Sequence, residues 1–127
     1  MRFWKAAAIA ALAMVTTATA VSAAGRITMD ELRSGLEAGR VVLVDVREPD
    51  EFAAGHVPGA VNVPVSRMSL AALPPAGDKT VVVMCRSGNR SARVQAAAAQ
   101  AGRADLVDYA GSMNEWTAKG GPIVKGP

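Results

Sequence analysis

Beyond residue 24, apolar positions follow two rhythms. Met29, Leu32 and Leu36 recur at helical spacing behind Thr28, which can cap the first amides while Glu31 reaches back to complete a capping box; Gly39 supplies a left-handed stop. Val41 to Val46 is instead a nearly continuous β-branched run, of the kind buried on both faces in a parallel sheet. Pro49 suits the first turn of a short helix that runs through Glu51 and Phe52 to Gly55. A short strand is predicted at Val61 to Val63, a short helix from Ser66 to Leu73 ahead of Pro74-Pro75, and a second strong strand from Thr80 to Met84. The longest helix is predicted from Ser91 to Ala101, with Ser91 as its cap and Gly102 as its stop. Leu106 to Tyr109 reads as a last strand and Ser112 to Lys119 as a terminal helix containing Trp116. Strands alternating with helices at this spacing predict an α/β fold: one domain, a parallel sheet, and helices on both faces. The alanine cluster Ala96 to Ala99 predicts close helix packing.

The first two dozen residues break this pattern. Arg2 and Lys5 precede an apolar stretch from Ala6 to Val15, and small residues fill Thr16 to Ala24, with Ala18-Thr19-Ala20 and Val21-Ser22-Ala23 as possible cleavage sites. That is the build of a secretory signal peptide, and a membrane anchor would need a longer uninterrupted apolar run. The expectation is cleavage after Ala23 or Ala24, leaving a domain of residues 25–127 that is periplasmic or secreted and free of the membrane. Without Arg2 and Lys5, twelve basic residues face eleven acidic ones, so the basic balance belongs mostly to the precursor. No basic stripe with interleaved aromatics is present, which argues against a nucleic-acid partner.

Export sharpens the question of the single cysteine, Cys85. An oxidising compartment rewards paired cysteines, whereas one alone suggests intermolecular pairing or a reactive thiol. It could also be a buried small hydrophobe at a strand end. Its position favours reactivity, because ligands in parallel sheets bind beyond the carboxyl ends of the strands. The loop Arg86-Ser87-Gly88-Asn89-Arg90 contains two residues that tolerate left-handed angles, so its N–H groups can curl into an anion-binding nest beside the start of the next helix. Such a setting lowers a thiol pKa and makes a nucleophile without a dedicated base. One histidine and one cysteine cannot close a metal site, and no cofactor is implied.

The segment Cys85-Arg86-Ser87-Gly88-Asn89-Arg90-Ser91 closely resembles the active-site loop of rhodanese-like sulfurtransferases. Val44 to Glu48 resembles that family's strand-end segment, Glu51 to Pro64 its EFxxGHIxGAxNIP stretch, and Tyr109 to Trp116 its GGxxxW segment, with Ser112 where a second glycine is common. Phosphatases with a cysteine nucleophile have a similar loop but place an arginine six residues after the cysteine; here Arg90 comes at plus five and Ser91 at plus six.

The resemblance implies that Cys85 attacks the outer sulfur of thiosulfate and carries it as a persulfide to cyanide or a thiol. The amides of Arg86 to Arg90 would stabilise the anion, with Ser87 as an added hydroxyl donor. Arg86 would attract the dianion or else face solvent, and Arg90 would do likewise or pair with a carboxylate such as Glu48. Asp45, Arg47, Glu51, His56 and Trp116 are expected to be structural supports, His56 as a hydrogen-bonded turn residue rather than a base. A carrier that accepts persulfide from a protein partner, with little small-molecule turnover, is the alternative from another class.

Overall fold

The computed structural model describes residues 25–127, so the expected signal peptide lies outside the described residues. Four helices and four strands follow in the order α1 (Met29–Glu37), β1 (Val41–Asp45), α2 (Pro49–Ala54), β2 (Val61–Asn62), β3 (Thr80–Met84), α3 (Asn89–Gln100), β4 (Val107–Asp108) and α4 (Ser112–Ala118), alternating except between β2 and β3, which only 3-10 turns connect. The strands pair in parallel in the order β2-β1-β3-β4. Val41 to Asp45 lie opposite Thr80 to Met84 across the two central strands. The chain leaves β1 for β2 on one side and returns as β3 on the other. The crevice beyond the carboxyl ends of β1 and β3 is therefore a topological switch point, where open α/β sheets bind ligands.

Two apolar clusters sandwich the sheet. Met29, Leu32, Met113 and Trp116, from α1 and α4, pack with Leu43, Val82, Met84 and Tyr109. On the other face Val94 and Ala98 of α3 join Leu73, Val44, Val81, Val83, Leu106 and Cys85. Alternate residues of β1 and β3 go to opposite clusters, as the two-residue period of a strand requires. α1 starts with the expected reciprocal capping bonds between Thr28 and Glu31. It lies tightly on β1, since a Cβ at Gly35 would run into the Val41 side chain.

Several elements differ from the sequence expectation. Ser66 to Leu73 is not one helix but two 3-10 turns, Val65–Arg67 and Leu70–Ala72, separated by extended residues Met68 and Ser69. Ser69 caps the second turn by accepting the Ala72 N–H, so a local side-chain bond replaces helix propagation. The outer strands are shorter than predicted, ending at Asn62 and beginning at Val107. The close packing expected of the alanine cluster is made at one position and on the sheet. Ala96 and Ala97 are exposed, and only Ala98 is buried, against the sheet. Ala97 and Ala98 instead line an apolar groove of about 400 Å³ with Met68, Leu70 and Leu73, bounded at one end by Arg90. No helix among the described residues is long and apolar enough to cross a membrane.

Candidate active site

Cys85 follows directly on β3 and is fully buried as a residue. Three residues on, Gly88 takes a left-handed conformation (φ 97°) and caps α3, which begins at Asn89. Helix α3 thus starts two residues earlier than expected, with Gly88 rather than Ser91 at its cap. The physical reason is the left-handed kink, which turns the backbone into the helix before Ser91 is reached. Glycine is required at Gly88 twice over. Its φ is one that L side chains rarely adopt, and a Cβ there would collide with the Ala110 carbonyl.

This turn brings the loop amides onto the sulfur. The Gly88 N–H donates to Cys85 Sγ at 3.0 Å. Burial pushes the thiol up, but the Ser91 amide and hydroxyl and the amides of Gly88 and Ser87 outweigh it and hold Cys85 below its ordinary value. The arrangement is a preorganised anion cradle, able to hold a thiolate without a base. Ser91, released from the cap, is wholly buried; its hydroxyl also donates to the Gly88 carbonyl at 3.2 Å. Arg86, Ser87 and Asn89 are exposed at the rim.

Arg90 is paired, and with Glu51 rather than Glu48. The guanidinium grips Glu51 with bonds of 2.7 and 3.0 Å, joining the start of α3 to α2. Glu48 instead caps the start of α2 and receives the Ser66 hydroxyl. The positions are explained by helix geometry: Glu51 lies in the first turn of α2, whereas Glu48 precedes the helix as its cap. The pair lowers Glu51 to about 2, chiefly through the Arg90 hydrogen bonds. Arg86 makes no ion pair among the described residues and remains as an exposed cation beside the loop.

Asp45 and Arg47 form a buried ion pair at the end of β1, with Arg47 also donating to the Gly55 carbonyl at 2.8 Å. Asn62 donates to the carbonyls of Asp45 and Arg47 at 3.0 and 2.8 Å, locking the same strand end to β2. His56 is buried and stacked on Phe52, with ring centroids 3.7 Å apart, and its Nδ1 lies 2.8 Å from the Phe52 carbonyl oxygen. Trp116 is core on the far face of the sheet and donates to the Pro122 carbonyl at 2.8 Å. Of the expected supports, only Glu51 is bonded to the cysteine loop. The others brace strand ends and the sheet.

Two further buried residues were not singled out from the sequence. Ser112, at the start of α4, accepts the Cys85 N–H at 3.1 Å. Its only signal was a serine where the resembling segment commonly has glycine. Asp108 is 2% exposed, its Oδ1 has no hydrogen-bond partner, and burial pushes its carboxyl up. A carboxylate on a two-residue strand carries no such warning in the sequence.

A human protein named thiosulfate:glutathione sulfurtransferase is 34% identical over 113 residues, covering 78% of this chain and 98% of that one. An uncharacterized Synechocystis protein is 38% identical over 98 residues; the alignment covers 77% of this chain but only 53% of that protein. Among solved structures, a human single-domain sulfurtransferase superposes with a TM-score of 0.66 at 36% identity, covering 76% of this chain and 97% of the other. A rhodanese-related protein of Thermoplasma volcanium gives a TM-score of 0.68 at 31% identity over 79% of this chain and 97% of the other. Residues 28–119, which run from the Thr28 cap through the Cys85 cradle to the end of α4, match the rhodanese-like domain, and the chain belongs to that family.

Proposed function

We propose that the protein is a thiosulfate sulfurtransferase working through a persulfide on Cys85. The Cys85 thiolate attacks the outer sulfur of thiosulfate. A bond forms from Sγ to that sulfur, the donor's sulfur–sulfur bond breaks, and sulfite leaves with the bonding pair. Cyanide or a thiolate then attacks the outer sulfur of the persulfide, takes it as thiocyanate or an organic persulfide, and returns the Cys85 thiolate. Charge balances at each step, and no external oxidant or reductant is consumed.

The observation that carries this reading is the sulfur itself, held at 3.0 Å from the Gly88 N–H in a loop whose amides favour its anion. In the persulfide the single negative charge lies on the outer sulfur, where the inward-facing amides of the loop would stabilise it. Exposed Arg86 can draw a dianionic donor to the rim. Arg90, already neutralised by Glu51, serves to fix the first turn of α3. The human relative, named for thiosulfate and glutathione, supports thiosulfate as donor and a low-molecular-weight thiol as acceptor.

Thiocyanate formation from thiosulfate and cyanide, measured beside a Cys85→Ser control, tests the proposal. Turnover that vanishes in the control is expected. Absence of turnover in the wild type, with Cys85 still alkylated rapidly near neutral pH, would refute small-molecule catalysis and favour a carrier serving a protein partner. We also propose export, with the N-terminal segment removed after Ala23 or Ala24. N-terminal sequencing of protein from a fractionated bacterial host should find a chain beginning at Ala24 or Gly25 in the periplasm, and an unprocessed cytoplasmic chain would overturn that.

A further inference from the structure

Ser112 is the one non-glycine residue with positive φ among the described residues, at 52°, and it is wholly buried. Glycine would occupy that conformation without strain. What serine adds is a hydroxyl, which links the Tyr109 carbonyl to the main chain of the nucleophile. It donates to the Tyr109 carbonyl at 2.9 Å, which turns a lone pair toward the Cys85 N–H, accepted at 3.1 Å. The same oxygen lies 4.0 Å from Cys85 Sγ. The next two amides of α4 continue the grip, with Met113 N–H donating to the Cys85 carbonyl and Asn114 N–H to the Arg86 carbonyl, both at 3.0 Å. The first turn of α4 thus clamps the two peptides that carry the nucleophile, and Ser112 supplies the side chain of that clamp.

We propose that Ser112 is a positioning residue for Cys85, its hydroxyl fixing the nucleophile's main chain so that the sulfur meets the loop amides. This rests on the reading of Cys85 as the nucleophile and extends it across the sheet edge to β4 and α4. The backbone strain at Ser112 is retained because the hydroxyl gives the buried Cys85 N–H an acceptor that glycine lacks. Without it the Cys85 N–H loses its acceptor, and the strand end is free to move the sulfur away from the Gly88 amide.

Two variants separate the hydroxyl from the strain. Ser112→Gly removes both, whereas Ser112→Ala removes the hydroxyl and keeps the left-handed side chain. The readouts are the pH profile of iodoacetamide alkylation of Cys85 in the full chain and the thermal midpoint. Both variants are expected to shift the alkylation profile upward and to slow alkylation at pH 6.5 by about three- to tenfold, equivalent to roughly half to one pKa unit. Ser112→Gly should do so while melting close to the wild type. A Ser112→Gly profile that superimposes on the wild type would overturn the proposal, as would a shift confined to Ser112→Ala and tracking its loss of stability. Alkylation reads the thiolate directly. Failure of the wild type to form thiocyanate would therefore sink the sulfur-transfer reading and leave this test intact.

Discussion

Glu51→Gln isolates the contact between α2 and the cysteine loop. Glu51 sits at about 2 in the fold, against an ordinary glutamate value near 4.3, because Arg90 donates two short hydrogen bonds to it. Two units correspond to about 3 kcal/mol at 1.36 kcal/mol per unit. Both side chains are about 30% exposed, so solvent screening brings the net effect down to about 1 kcal/mol. The sign follows from the lowered folded value. The stabilisation is fully present above the unfolded value near 4.3 and is lost as pH falls through about 2. Urea unfolding at pH 7, 5, 4 and 3 should show the variant weaker by about 1 kcal/mol at pH 7, with the gap narrowing below pH 4.5. A cycle with Arg90→Gln would confine the effect to the pair, the double variant losing little more than either single one. A deficit that persists unchanged at pH 3 would refute the electrostatic argument and assign the loss to packing.

Three further outcomes follow from the same geometry. Gly88→Ala places a side chain at φ 97° against the Ala110 carbonyl, so it should lose at least ~1–2 kcal/mol in urea unfolding, and thiocyanate formation should fall at least tenfold as the Gly88 amide leaves the sulfur. The alkylation rate of wild-type Cys85 should rise with a midpoint below the ordinary thiol value of about 8.5; a midpoint at or above it would contradict the amide cradle. Asp108→Asn removes a buried carboxylate whose folded value is raised, so its penalty is absent below the ordinary aspartate range and sets in as pH rises through it. The variant should melt above the wild type at pH 7.5, with the difference shrinking near pH 4. Equal melting at both pH values would mean that Asp108 is not strained by its burial.

The fold was legible where a single element carries its own signal. Val41 to Val46 and Thr80 to Met84 can be little else than strands buried on both faces, and Thr28 with Glu31 marks a helix start, because both signals act over a few residues. Ser66 to Leu73 was misleading for the converse reason: its apolar residues suit a helix, yet Ser69 can take the Ala72 N–H and stop one. The alanines of α3 likewise suggest close packing, yet nothing in the sequence says that one side lies on the sheet while the other lines a groove.

The cysteine loop was legible as chemistry before it was legible as geometry. A lone thiol, a left-handed glycine and a following helix imply an anion cradle through local backbone rules alone. Which residue caps α3 depended on how sharply Gly88 turns, and that is set by its packing under Ala110, 22 positions away in a different loop. The choice of Glu51 over Glu48 for Arg90, the hydroxyl of Ser112 on the Cys85 amide, and the burial of the Asp108 carboxyl are contacts or burials across distant segments. Sequence determined which residues could form strands, turns and a nucleophile, since those preferences are local. Tertiary structure alone decided which of them meet, because the sheet order β2-β1-β3-β4 brings chain ends together that no spacing along the sequence records.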